Sequence, residues 1–506
     1  MRIERDDLWF VLLLAICVAI PFATHFYPTL DGAAHLYNSQ LLREYLLGNA
    51  TIRSHLELVV LPLPNYLDHV GLALLLCIAP AWLAEKLFIC AYILIGALGF
   101  RRLVLAISPL NRSMAVLVLP LLNTGLLNFG FYNFSLGVAL LFWFLAWGWN
   151  APAKWGWAFG LRMLLIATLM YFSNVLAFAL GGLLLGSKYL LEGWHEGTDR
   201  WKGLRGRIIG LFLVAIPGIV GFAVFQVNYQ FDPAGPGHPK GELLRWLLES
   251  RQLVAYIRDP ERPFTIGFSV LLVLMLVVLV KRRTSLEGGA LALPLVGLLV
   301  LAAYFFVPDG YSAGMMSDRL GMLLLTILLI WMAASAIPRS LERTLAVVIA
   351  LMSPILSYQH WSSVRRSLDI EAQAVARSAS AIPENAIVFP ITLSDNWLHA
   401  HISNYLGVSK PMIILENYEA RLGWFPLRWR TNGPMVACLG GRPVQNIRCG
   451  AEGSVLGSSL ADHAIVLGDT ARLQEPAWSA LGKELKARYS LTYSDKGGFV
   501  HIYALR

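Results

Sequence analysis

The sequence predicts a polytopic α-helical membrane protein with a polar α/β domain at its C-terminal end. Three observations predict it. Of the 506 residues, 57% are hydrophobic and only 14% charged, with a mean hydropathy of +0.58, whereas soluble domains are typically ~45–50% apolar. Apolar runs recur along residues 1–358, many near the ~20 residues a helix needs to cross a bilayer. From Tyr358 the chain turns polar at "YQHWSSVRRSLDIEAQAVARSAS", and short β-rich runs replace the long apolar ones. The net charge of +9 sits in short loops beside apolar runs, where it is an orientation signal, so no nucleic-acid partner is expected.

The first run, "LWFVLLLAICVAIPFATHFY", ends without a small-residue cleavage site and therefore reads as an uncleaved helix over 8–27. Further spans are expected at 87–105, 111–125, 134–150, 158–173, 175–191, 208–227, 264–280, 288–307, 320–337 and 342–358, about eleven in all. With the N-terminus cytoplasmic, one side receives Arg101, Arg102, Arg112, Lys154, Lys188, Arg200, Lys202, Arg205 and Arg207. It also receives Lys281, Arg282, Arg283, Arg339 and Arg343, as the positive-inside rule requires. A full span at 67–83 would break that alternation, so this segment is expected to be re-entrant or interfacial within a long first outer loop, 28–86.

The other outer segments are "NTGLLNFGFYN" (123–133), the turn at Ser173 and Asn174, 228–263, and "VPDGYSAGMMSDR" (307–319). Asn128, Asn133 and Asn174 fall at helix ends, where asparagine caps or joins helices. The segment 228–263 has a Pro/Gly-rich front and an expected amphipathic helix over 241–257, readable as a mobile flap or as an ordered cover. Residues 359–506 form the α/β domain. Its expected strands are "NAIVFPITL", "KPMIILE" and "HAIVLGD", with a helix over "QEPAWSALGKELKAR" and a closing hairpin, "YSLTYSDKGGFVHIYAL". An odd number of spans places this domain outside. Cys17, Cys77 and Cys90 lie in apolar runs as core packing. Cys438 and Cys449 lie in the outer domain and are expected to form a disulfide, while no cysteine spacing suggests zinc.

The stretch "YPTLDGAAHLYNSQLLREYLL" (27–47) follows the first span. A helix beginning at Asp31 carries His35, Asn38 and Leu42 on one face, and Ala34, Tyr37, Leu41 and Tyr45 on another that can lie on lipid. Such a polar face suits chemistry between a lipid-linked donor and an acceptor from water. Alternatively, Asp31 merely caps the helix.

An acid just beyond the first span, a long first outer loop with two surface helices, many further spans and a C-terminal α/β domain together resemble the GT-C superfamily of polyprenyl-phosphate-dependent glycosyltransferases. "LPLPNYLDHVGLALL" (61–75) is similar to the proline-containing lead-in of that family's second surface helix. The resemblance implies that Asp31 is the catalytic acid or base, with a polyprenyl-phosphate-sugar donor and a glycan, lipid or protein acceptor. It also implies residence in the bacterial inner membrane. Many members carry a second acid in the first or second outer loop, sometimes holding a divalent metal. "NTGLLNFGFYN" has none, while Asp68 and His69 lie on the surface helix, so a metal-free, single-base mechanism is expected and no cofactor is assigned.

Sugar transfer from a phosphate-linked lipid needs a base for the acceptor hydroxyl and cationic groups for the leaving phosphate. Asp31 fits the first role, with His35 to orient it or share the proton. For substrate binding, Arg319 begins a late helix at the outer edge, Asp309 lies in the segment before it, and Asn38 lies on the Asp31 face; alternatively, Arg319 pairs with Asp318 or Asp309, or snorkels to headgroups. His238, Lys240, Arg245 and Arg251 in the long loop are further candidates for phosphate or sugar contact, and nothing in the sequence selects among them. "SDNWLHAHISNY" and "ENYEARLGWFPLRWR" in the outer domain are rich in His, Trp, Tyr and Arg that can stack on sugars. Two rival functions remain open: a transporter or flippase of lipid-linked glycans, and a non-catalytic envelope-assembly protein. The first would place ionisable groups deep in the spans and show repeated halves, and neither feature is evident in the sequence.

Overall fold

The computed structural model of the chain describes residues 5–195, 201–229, 237–281, 288–309, 314–335, 338–430 and 461–506. The Cys438–Cys449 pair lies outside the described residues. Among those described, two compact units separate: Met1–Ile20, Leu61–Pro64 and Cys90–Ser363 make the first, and Pro21–Val60, Asn65–Ile89 and Val364–Arg506 the second.

The first unit is helical. Nine described helices are long and apolar enough to span a bilayer, beginning with Ala81–Ile107 and ending with Arg339–Ala381. The expected count of about eleven is not reached by length. The runs expected at 8–27 and 158–173 form shorter apolar helices, Leu8–Ala23 and Trp157–Ser173. The segment 67–83 yields only the ten-residue helix Leu67–Leu76, too short to span ~30 Å at 1.5 Å per residue.

Prolines reshape one expected span: Pro109–Leu122 winds as a tight 3-10 stretch containing Pro120, with Asn111 out of helical geometry. The Asn111 amide donates to the carbonyls of Ala333 and Ser335, both at 2.8 Å. Asn174 caps the following helix by accepting from the backbone N–H groups of Leu176 and Ala177. The amphipathic helix expected over 241–257 is shorter, Lys240–Leu248, because Ser250 turns left-handed at φ +43°. Just before that turn, Glu249 binds Arg258 at 2.6 Å and Arg262 at 2.8 Å from beyond it, which favours the ordered cover over the flap.

The second unit joins residues 21–60 and 65–89 to the C-terminal residues. Strand β1 (Leu56–Leu58) comes from the first of these segments. The remaining strands are β2 (Ile387–Thr392), β3 (Ile413–Ile414), β4 (Leu427–Trp429), β5 (His463–Leu467), β6 (Tyr489–Ser494) and β7 (Val500–Leu505). A five-stranded sheet runs β3-β2-β5-β7-β6, parallel between β2 and its neighbours and antiparallel through β5, β7 and β6. One face packs Phe389, Ile391 and Val466 against Leu481 and Leu485 of the helix Ser479–Arg488. A separate pair, β1 with β4 antiparallel, stitches Leu56 to Trp429 and Leu58 to Leu427.

The helix Gly32–Leu47 is buried from Gly32 through Leu42. Its Ala34–Tyr37–Leu41 stripe was expected to lie on lipid; instead it is enclosed by protein, with exposures of 1%, 0% and 0%. The Tyr37 hydroxyl explains why: it donates to the Met412 carbonyl and accepts from the Ile414 N–H, each at 2.9 Å. Gly407 makes room for that ring, since a Cβ there would sit 2.5 Å from a Tyr37 ring carbon. Gly407→Ala is therefore expected to destabilise the second unit by ~1–3 kcal/mol, the usual cost of overpacking. Gly241→Ala, where a Cβ meets nothing within 4 Å, serves as the control. Thermal unfolding of both full-length variants in detergent checks this, and equal midpoints would contradict the packing argument.

Candidate active site

The chain entering the site is pinned before it reaches Asp31. Asp369 accepts from the backbone N–H groups of His25 and Phe26 at 3.0 and 2.7 Å. Glu85 accepts from the Tyr27 N–H at 2.9 Å and from the Tyr405 hydroxyl at 3.3 Å. The helix then starts without help from the Asp31 side chain, which makes no capping bond. Thr29 takes that part, its hydroxyl accepting from the Gly32 N–H at 3.0 Å. Gly48, left-handed at φ +94°, closes the far end.

The Asp31 carboxylate is directed instead toward the C-terminal residues of the same unit. Its Oδ1 lies 3.6 Å from His401 Nε2, and both side chains retain 16% exposure. Tyr418 packs beside that imidazole, with ring centroids 4.4 Å apart. His401 Nδ1 binds Glu416, which also accepts from Asn404 Nδ2 at 2.6 Å and Ser403 Oγ at 3.3 Å. A carboxylate, an imidazole and a second carboxylate thus lie in series. Burial pushes the Asp31 carboxyl above its ordinary range, against the pull of His401 and His35. Burial alone would lower His401, but the charge and hydrogen bond of Glu416 lift it to about 9. A raised carboxylate beside an imidazole suits proton transfer near neutrality.

A second, deeper cluster adjoins it. His69 Nδ1 lies 2.6 Å from Asp68 Oδ1, and His69 Nε2 lies 2.7 Å from Glu419 Oε2. His35 Nδ1 lies 3.0 Å from Glu419 Oε1, 3.2 Å from Asp68 Oδ2 and 3.4 Å from His69 Nε2. Phe425 lies beside both imidazoles, with its ring centroid 5.4 Å from that of His69 and 6.2 Å from that of His35. Burial opposes charge on all of these groups. The acids nevertheless raise His69 to about 10, and the histidines draw Glu419 down to about 2. His35, His69 and Glu419 each offer a ligand atom within 4.8 Å of the others, so a divalent cation fits the donor chemistry here rather than at a pair of loop acids.

Of the residues singled out by sequence, Asp31 and His35 meet in this unit. Asn38 is occupied within it, accepting from Asn417 at 2.7 Å and donating to the Ala34 carbonyl at 3.0 Å. The remaining candidates belong to the first unit. Arg319 lies over the Phe131 ring at 4.5 Å and donates to the Gly314 carbonyl at 3.2 Å. His238 pairs with Asp309 at 2.9 Å, and Lys240 sits 4.2 Å over Phe306. Sequence reasoning did not identify His401, Glu416, Tyr418 or Glu419 individually. Their one signal was composition, since they fall in the two aromatic- and histidine-rich stretches of the C-terminal domain.

No protein-family model matches the chain, and no curated protein matches it in sequence. The fold nevertheless defines a class: a mostly helical protein whose described helices include nine long and apolar enough to cross a membrane, with a C-terminal sheet region. Solved structures that it resembles include two of ArnT from Cupriavidus metallidurans. The apo form superposes with a TM-score of 0.53 at 10% identity over 99% of this chain and 98% of that one. The form bound to undecaprenyl phosphate gives 0.53 at 13% identity over 98% of each. At such identities the likeness is one of fold.

The cap assignment has a direct consequence. Thr29→Val is expected to cost ~0.5–2 kcal/mol, the usual loss on removing a capping oxygen. Asp31→Asn should leave stability nearly unchanged, because its carboxylate does not cap the helix. Chemical or thermal unfolding of the two variants separates the roles. The reverse order would return Asp31 to the helix terminus.

Proposed function

We propose that the chain is a membrane glycosyltransferase that moves a sugar from a polyprenyl-phosphate donor to a cell-envelope acceptor on the outer face, with Asp31 as general base. The observation carrying this reading is the Asp31 carboxylate itself: partly exposed, not engaged in capping, and backed by the His401–Glu416 pair. The shared fold supports the donor class, since one of the ArnT structures holds undecaprenyl phosphate.

In the proposed step, the acceptor hydroxyl gives its proton to Asp31 and its oxygen bonds to the anomeric carbon of the sugar. The bond between that carbon and the phosphate oxygen breaks, and the electron pair leaves with the polyprenyl phosphate. His401 holds the Asp31 carboxylate in place. The raised proton affinity of Asp31 makes it a better base than a solvated carboxylate. Arg319, Lys240 and His238, which belong to the first unit, are proposed contacts for phosphate or sugar independently of the Asp31 step.

Two experiments test the reading. Asp31→Asn should retain folding while transfer from undecaprenyl-phosphate-linked sugars falls ~10²–10⁴-fold, the typical contribution of a positioned base. Equal rates for purified wild type and variant, at matched protein levels, would remove Asp31 from catalysis. Placement on the outer face of the inner membrane requires the C-terminus to be extracytoplasmic. A reporter fused after Arg506 should therefore work only in its periplasmic form, and cytoplasm-restricted activity would reverse the threading.

A further inference from the structure

We propose that His35, His69 and Glu419 are the ligands of a divalent cation of the zinc type, and that Asp68 orients His69 from behind. The spacing of the ring nitrogens favours an ion over a shared proton. His35 Nδ1 and His69 Nε2 face each other at 3.4 Å, longer than the ~2.7–3.2 Å of an N–H hydrogen bond. Two nitrogens bound tetrahedrally to one zinc at ~2.0–2.1 Å stand about 3.3–3.4 Å apart. The Glu419 oxygens lie 3.0 and 2.7 Å from those nitrogens, so a small outward turn of the carboxylate admits the ion.

The surroundings make the same case. His69 Nδ1 meets Asp68 Oδ1 at 2.6 Å, the arrangement in which an outer carboxylate fixes the tautomer and raises the basicity of a ligating imidazole. All four side chains are buried, with Asp68 and Glu419 at 0% exposure. Two neutral imidazoles with one carboxylate suit zinc among the divalent ions, whereas magnesium and calcium prefer oxygen ligands. The ion would clasp three segments, since the ligands lie 34 and 350 residues apart along the chain. Three protein ligands leave a fourth position for water or a substrate oxygen. The donor set differs from a pair of outer-loop acids, and Asp31 takes no part in it.

The test reads metal rather than sugar transfer, so its outcome is independent of the proposed activity. Full-length protein in detergent is stripped with a chelator, then titrated with Zn2+ and, separately, with Co2+. The wild type should hold one equivalent of zinc through gel filtration, and its cobalt form should show the ligand-field absorption of a low-symmetry site with nitrogen ligands. His69→Gln should abolish both, while Asp68→Asn should weaken zinc binding ~10–100-fold, as loss of an outer carboxylate does. His399→Gln, a histidine bonded to Glu371 elsewhere in the unit, should bind as the wild type does. If the His69 variant fails to fold, the wild-type titration decides alone. A stripped wild type that takes up neither ion stoichiometrically, or a folded His69→Gln that binds as the wild type does, overturns the site.

Discussion

The second unit depends on one buried carboxylate, that of Glu419. A charge with 0% exposure carries a desolvation penalty of several kcal/mol, and apolar residues of similar volume would avoid it. The penalty is offset only because His69 and His35 each lie within 3.0 Å of one of its oxygens. Those histidines come from different helices, Gly32–Leu47 and Leu67–Leu76, and Glu419 from a short helix, Tyr418–Leu422, in the C-terminal region. The interaction therefore selects one register between segments that have no local reason to meet. The β1–β4 ladder, with Arg428 bound to Glu57 at 2.6 Å, enforces that register at a second point.

Around this anchor, the helix Gly32–Leu47 is built to be enclosed. Gly32, Ala33 and Ala34 keep its first turn thin. Tyr37 and Asn38 carry hydrogen bonds to Met412, Ile414 and Asn417. The expectation of a surface helix counted the apolar stripe as a lipid-facing side. Periodicity tells how many faces are apolar but not what covers them. A tyrosine on such a stripe carries a hydroxyl that needs a partner once buried, and that was the overlooked hint.

The membrane part was legible because the bilayer imposes a length on apolar runs. That is why 67–83 could be rejected as a span from charge alternation, and the helix there is ten residues long. The limits of the reading are equally physical. Prolines turned one expected helix into a tight 3-10 stretch, and the left-handed Ser250 cut another short. The site divides the same way. Asp31 stood out because an acid at a membrane exit is unusual, but its neighbour His401 lies 370 positions along the chain, beyond the reach of any local pattern. His69 and Asp68 were visible as residues and uninterpretable as a pair until Glu419 was beside them.

The two clusters differ in what they leave open, and that difference is the ground for the roles proposed for them. The oxygens of Glu419 face imidazoles and are shut away from solvent, so an incoming hydroxyl would have to displace His35 or His69 to reach them. Asp31 keeps 16% exposure and stands 3.6 Å from its imidazole, looser than a hydrogen bond. A capping carboxylate must aim its oxygens back at the first N–H groups of its own helix, whereas a base must aim them outward at a proton. One side chain does not do both well. Thr29 takes the Gly32 N–H, and with that terminus satisfied Asp31 can remain beside the helix start while pointing away from it. The threonine two positions earlier is thus what makes the aspartate available for chemistry.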